Sequence, residues 1–299
     1  MAGTTIGLHI YAVKMHYERK HKTIKLSTSG DGAALANYSP QFFQTFAQQI
    51  GGATGSARSW YLEPKPKIGS SYHGIVRYGS TGFSEEIRDR KTRKIQYNRL
   101  PTDIGTIPLY YRLWVPDKGD YALLGIQTFG SRSCVERFKE AFLKGFRAKN
   151  EKIMLTFSAV MPTQIAKFKN GPVKTFSLTK KDYSSDKADN QFGPQGDLVD
   201  LDVTFKAKPK GSLGTLSSFS DKVKGTGKDK VLEYNDTHFD EATALVQVGK
   251  KTRKVVLVGV SKNSGKFDLT EDVQTTGGHP KFDSIAKECE DLFTSIVAG

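Results

Sequence analysis

Hydrophobic and polar positions along this chain follow two different periods, and the changes of period mark out its elements. Residues Thr5 to Lys14 are apolar on both faces, as in a strand covered from both sides. Thr23 to Ser27 alternates instead, which predicts a strand with one charged face. At Ser39-Pro40 the spacing becomes helical, and Phe42, Phe43, Phe46, Ala47 and Ile50 step along one side. Ser39 is placed as the cap, Pro40 in the first turn, and Gly51-Gly52 as the stop. Short strands and turns follow from Trp60 to Leu100. Then come a strand over Ile107 to Val115, a turn at Asp117 to Asp120, and a buried strand over Tyr121 to Phe129.

The clearest helix is predicted over residues 134–149. Ser133 and Glu136 have the spacing of a capping box, in which each side chain satisfies the other's free backbone donor. Val135, Phe138, Ala141, Phe142 and Phe146 make its apolar stripe, with Arg137, Glu140, Lys144 and Arg147 opposite. Ile153 to Val160 reads as a further strand. Beyond it, Val173 to Leu178 and Leu198 to Lys208 alternate as strands, and Pro209 to Lys230 reads as a Gly-, Ser- and Lys-rich loop. Ala244 to Val258 has the pattern of a hairpin turning at Gly249-Lys250-Lys251. From about Pro280 a closing helix is expected, because Phe282, Ile285, Cys289, Leu292 and Ile296 step by three and four. Such a seam more often packs on the chain's own sheet than against a second copy, but left exposed it would pair with one. The expected fold class is α+β: a mixed, β-rich basic first domain and a β-rich second domain closed by a helix.

Charge changes the picture more than composition does. The formal net charge is +14, and its distribution is uneven. With a boundary at residue 170, before Gly171-Pro172, residues 1–170 hold 26 Lys+Arg against 12 Asp+Glu. Residues 171–299 hold 19 against 19. Such asymmetry points to a polyanion-binding domain joined to a neutral one, the latter free to contact a partner protein or its own copy. The cations fall in three groups: Arg19, Lys20 and Lys22; Arg88, Arg90, Lys91, Arg93 and Lys94; and Arg132, Arg137, Lys144 and Arg147 around the predicted helix. The second group lies between two strand-like runs, as an exposed loop or hairpin tip would. Arginine forks match phosphate oxygens in pairs, and clustered charge releases counterions on binding. Both tryptophans and ten of the twelve tyrosines precede residue 122. Aromatic cross-strand pairs in a β-rich core explain most of that bias, although tyrosine and arginine also suit stacking on bases.

Other classes lose ground. No run approaches the ~20 apolar residues that span a bilayer, so no membrane insertion is expected. The first residues lack the pattern of a secretion signal, and Cys134 and Cys289 are too few for a disulfide framework. Both cysteines sit in helical patterns as small buried hydrophobes, and a cytoplasmic location is expected. The six histidines show no His-x-x-x-His spacing, and no Cys-x-x-Cys accompanies them, so neither a metal site nor a cofactor is expected. Neither a P-loop nor Gly-x-Ser-x-Gly is present. The enzymatic alternative is a metal-dependent nuclease in which Asp200 and Asp202, with Asp197 nearby, hold a divalent cation and Lys206 steadies the water or the phosphate. No carboxylate precedes Lys206 by two, as restriction-type sites require, and a solvated strand face is the plainer reading. A scaffold that self-associates through the closing helix is the other alternative.

From Tyr121 the order is buried strand, Phe129-Gly130-Ser131, helix, then the strand from Ile153 before Met161-Pro162, followed by a β-rich half and a closing helix, an order with no diagnostic motif in it. It resembles the layout of prokaryotic anti-phage proteins of the RexA type and of the B component of Kiwa systems. The resemblance covers about half the chain, rests on organisation and carries over no residues. It implies a DNA-binding role in phage defence. Together with the charge, it leads to the expectation of sequence-nonspecific nucleic-acid binding, with DNA favoured.

Overall fold

Two faces of one antiparallel sheet account for most of the buried residues in the first part of the molecule. The computed structural model describes residues 4–18, 22–51, 58–183, 199–223, 232–235, 237–249, 251–258 and 266–298. The chain divides into two units: residues 1–159 with 272–289, and residues 160–271 with 290–299. The division thus falls at Ala159 rather than at residue 170, and a late segment returns to the first unit. That first unit holds 26 Lys+Arg against 15 Asp+Glu, an excess of +11, and the second 19 against 16, an excess of +3.

In the first unit, strands β1 (Ile6–Tyr17), β2 (Arg58–Pro64), β3 (Ser71–Ser80), β6 (Gly105–Trp114), β7 (Ala122–Phe129) and β8 (Ile153–Ala159) form a sheet of order β8-β1-β7-β6-β3-β2. Every neighbouring pair is antiparallel. Between β3 and β6 the chain makes a separate two-stranded arm, β4 (Glu85–Arg88) and β5 (Ile95–Arg99). One sheet face presents Val13, Met15, Leu62, Val76, Leu109, Tyr111 and Leu124 to α1 (Ala34–Gln48) and α2 (Val135–Lys149). Phe42 lies at the centre, 4.7 Å from Phe142 and 5.2 Å from Phe138 between ring centroids. The other face is covered by residues 272–289, where Phe282 packs edge-on against Tyr110. Buried on both sides, β7 carries no polar alternation, which is why it reads as a continuous apolar run. Most aromatic residues serve this core: Trp60, Tyr11, Tyr38, Tyr78, Tyr110 and Tyr111 are all buried.

Both helix starts differ from the sequence reading. α1 begins at Ala34, after a 3-10 turn at Gly30–Ala33, so Pro40 lies inside the helix. Pro40 forfeits a backbone bond, at a cost of about 3 kcal/mol in a helix interior. The extra turn offsets this by burying Leu35 completely and Tyr38 nearly so. Ser39 is not a cap: its buried hydroxyl donates to the Leu35 carbonyl at 2.7 Å. Likewise the capping box of α2 does not form. Cys134 occupies the cap position, Ser133 Oγ accepts from the Val135 amide at 3.3 Å, and Glu136 turns to Lys139 at 3.1 Å.

The second unit is built on a sheet of β9 (Val173–Tyr183), β10 (Val199–Lys206), β13 (Glu241–Val248) and β14 (Lys251–Val258), in the order β10-β9-β13-β14 and antiparallel throughout. A hairpin of β11 (Leu232–Tyr234) and β12 (Thr237–Phe239) and the short helices α3 (Ala166–Lys169) and α4 (Leu216–Ser220) complete it. The expected turn holds: Val248 pairs with Lys251, and Gly249 has φ +64°, as a two-residue hairpin turn demands. Lys250 lies outside the described residues, as do residues 224–230 of the expected loop. Within that stretch α4 is a correction, a helical turn fixed by the fully buried Leu216. The closing helix α5 runs over Phe282–Val297, with Ile285, Cys289 and Leu292 buried within the chain. Its seam is therefore not an exposed pairing face. The whole is a β-rich α+β fold with a C-terminal helix. Among the described residues no helix is long and apolar enough to cross a membrane.

Candidate nucleic-acid interface

The arm leaves the sheet where Ser80 pairs with Gly105, the last register of β3 with β6. Its base is fastened by Arg99, only 6% exposed in a segment that is otherwise open. The guanidinium donates to Glu85 at 3.1 Å, to the Asp103 carbonyl at 3.2 Å and to the Ser80 carbonyl, and lies 4.5 Å over the Phe83 ring. Thr81 Oγ1 and the Gly82 amide both donate to the Pro101 carbonyl at 2.8 Å. A Cβ at Gly105 would come 3.1 Å from the Arg99 guanidinium, so any side chain there would press on the anchor. Three hydrogen bonds and a ring contact from one buried cation hold the arm at a fixed direction.

Beyond the base, β4 and β5 pair Glu85 with Arg99, Glu86 with Asn98 and Ile87 with Tyr97, with a bulge before Arg88 and Ile95. The turn is organised by Asp89. Its Oδ1 accepts from the Thr92 amide at 2.6 Å, the Thr92 hydroxyl at 2.9 Å and the Lys91 amide at 3.0 Å. These bonds hold the Asp89 carboxyl below the usual carboxylate range, the Thr92 amide being the largest cause. The Asp89 amide donates to Lys94 and the Arg93 amide to Asp89, each at 2.9 Å, and Arg93 sits in the left-handed region at φ 59°. An Asx turn closed this way displays its side chains outward.

Of the five cations predicted at this turn, Arg88 is engaged: it pairs with Glu86 and donates to the Arg93 carbonyl at 3.1 Å. Arg90, Lys91, Arg93 and Lys94 are exposed and make no ion pair among the described residues. Along the same arm Phe83, Ile87, Ile95, Tyr97 and Leu100 are 45–58% exposed, half of the large exposed hydrophobics of the described chain. A cationic tip on an apolar stem is therefore displayed on a rigid base.

The remaining predicted cations do not join it in one surface. Arg132 is exposed just past β7, and Arg137 is half-buried in the first turn of α2. Strand pairing puts Arg132 at the end of the sheet from which the arm departs, because Tyr111 of β6 is opposite Ile126 of β7, so β7 ends where β6 begins. Burial, with Arg132 and Arg77 adding to it, lowers the His279 pKa. Lys144 and Arg147 lie at the other end of α2, roughly 10–15 Å along the helix from Arg137. Arg147 is committed to Glu18 at 3.1 Å. Lys22 is exposed near that far end, and Arg19 and Lys20 lie outside the described residues.

No protein-family model, curated protein or solved structure matches this chain.

The alternative chemistries have less on which to stand. Asp200 and Asp202 are exposed on β10, with Lys206 on the same strand; Asp202 accepts from the Thr179 hydroxyl at 2.6 Å, and Asp197 lies outside the described residues. Among the described residues no three His, Cys, Asp or Glu side chains gather as a metal ion needs. Cys134 is fully buried, and burial pushes its thiol up to about 12, far from a working nucleophile. Sequence reasoning missed the Arg99 anchor and the apolar stem. The period-two stretches flanking Asp89 to Lys94, and an arginine alone among them at the arm's base, were the signals available.

Proposed function

We propose that this protein binds DNA without sequence preference, the arm entering a groove and Arg90, Lys91, Arg93 and Lys94 meeting phosphates. The observation that carries the reading is the arm tip itself: four exposed cations with no ion pair among the described residues, on a base fastened by a buried arginine. A two-stranded ribbon has the width to enter the major groove of B-form DNA. The excess of +11 on the same unit supplies the long-range attraction. The layout resemblance to RexA-type and Kiwa proteins supports placing this binding in anti-phage defence. A gel shift with unrelated duplexes, single-stranded DNA and RNA over a salt series tests it. Duplex binding that is indifferent to sequence and falls steeply with salt is expected; affinity insensitive to salt would overturn the reading.

A further inference from the structure

A second group of unpaired cations lies at the far end of the same sheet, where β1 stops. Tyr17, its last residue, pairs with Ile153 at the start of β8. On the other flank His16 pairs with Thr23, so Lys22 falls beside Tyr17. The Glu18 amide donates to the Lys152 carbonyl and the Ile153 amide to the Asn150 carbonyl, each at 3.0 Å. These bonds tie the end of α2 to the end of β1 and bring Lys22, Lys149 and Lys152 to one corner, with Lys144 about 7 Å back along the helix. All four lysines are exposed and make no ion pair among the described residues. Of the carboxylates there, Glu18 is taken by Arg147 at 3.1 Å. Asp31, which accepts from the Tyr17 hydroxyl at 2.6 Å, and Glu151 remain, so the four lysines keep an excess of two positive charges.

This corner and the arm belong to opposite ends of the sheet. The arm leaves where β6 begins and β7 ends, and Phe129 of β7 is opposite Ile6, the first residue of β1. The length of β1 separates that end from Tyr17 by about 35 Å. The arm is exposed over Glu85–Arg88 and from Ile95 to Asn98, so it lies against neither face of the sheet and carries its tip farther out. A duplex whose groove takes the arm end-on passes beyond the tip and does not reach the corner behind the sheet. Lysines are point charges that meet phosphates without reading bases, so a second duplex of any sequence suits them. We infer that the first unit holds two duplexes at once and bridges them, one on the arm and one on Lys22, Lys144, Lys149 and Lys152, an assignment that rests on the arm binding DNA. With two carboxylates among its lysines and no apolar stem, the corner is the weaker of the two sites.

The test mixes the full-length chain with two unrelated duplexes of about 100 base pairs at about 50 mM salt, one biotinylated on streptavidin beads and one fluorescent. Several copies on each long duplex add up their weak corner contacts. The fluorescent duplex is expected to stay on the beads, and to be released at about 200 mM salt. The Lys22→Ala, Lys149→Ala, Lys152→Ala variant should retain roughly tenfold less of it, while its affinity for a single duplex stays within about twofold of the parent and its circular dichroism spectrum is unchanged. A parent that binds one duplex but retains no second would overturn the bridge and leave the arm assignment standing. Retention undiminished in the lysine variant would overturn it too, since the second duplex would then be held by the arm of another copy. A chain that binds no duplex even singly would overturn the arm assignment, and the bridge with it.

Discussion

Changing Arg90, Lys91 and Arg93 together to alanine removes three of the four unpaired cations of the arm tip. Each cation that neutralises a phosphate adds about 0.9 to the steepness of log affinity against log salt. Four tip contacts give a slope of about −3.6, and the triple change should flatten the measured slope by about 2.7. At about 0.1 M salt a contact made wholly of counterion release is worth roughly a factor of eight, so the three together amount to about 500-fold. The fold should not register the change. The three side chains are exposed, and the turn is held by Asp89 through main-chain amides and Thr92, all of which remain. Fluorescence anisotropy with two unrelated duplexes of about 30 base pairs, from about 50 to 400 mM salt, measures both quantities. An affinity within twofold of the parent, or a slope unmoved beside a parent slope steeper than about −3, would refute the assignment of the tip.

Three further outcomes follow from the same coordinates. Asp89 stabilises its turn in the charged form, so with a lowered folded-state pKa that contribution is complete above the unfolded value of 3.8 and is lost as pH falls through the folded pKa below it; carboxyl NMR should place its midpoint under 3.8, with the tip unchanged from pH 5 to 8. With its thiol pushed up to about 12, Cys134 should resist a thiol reagent at pH 8 in the native protein and react once the chain is unfolded. Gly145→Ala would gain about 1 kcal/mol in helix propensity, yet the new methyl would overlap the hydroxyl of the buried Tyr38, so a net loss of about 1–2 kcal/mol is expected by chemical denaturation and Tyr38→Phe should recover part of it.

Where burial was two-sided, the pattern of the sequence and the structure agree. β7 and the apolar stripe of α2 are cases in which residue type alone states which side faces a core. Helix starts were less legible, because caps compete with burial: Ser39-Pro40 looks like an ideal entry, but Leu35 and Tyr38 have core to gain one turn earlier. The Ser133–Glu136 pair failed similarly, since Lys139 offers Glu136 a charge partner on its own helix. The cations were visible as a list, but their sorting was not. Pairing of Arg147 with Glu18 spans 129 residues of sequence, and nothing local announces it. The tip was legible in outline, because a run bounded by period-two strands has to be a turn. Its rigid base was not, since Arg99 is buried by groups on both flanks of the arm that only the β3–β6 register brings together.

The apolar stem allows a test that charge alone cannot satisfy. Half of the large exposed hydrophobics among the described residues fall between Phe83 and Leu100, beside cations that a surface kept soluble by scattered charge would not require. A DNA groove offers both complements at once, with phosphates at its rim and sugar carbons and thymine methyls inside. Ile87 and Ile95, each 45% exposed, have about half their surface left to bury there, worth about 1 kcal/mol apiece. Changing both to serine should therefore weaken duplex binding by roughly thirtyfold while leaving the salt slope as it was, because no phosphate contact is lost. The same anisotropy series reads the two terms apart. If the loss appeared as a flatter slope, or if affinity did not change at all, the stem would not be in the groove, and the tip would be binding DNA from outside it.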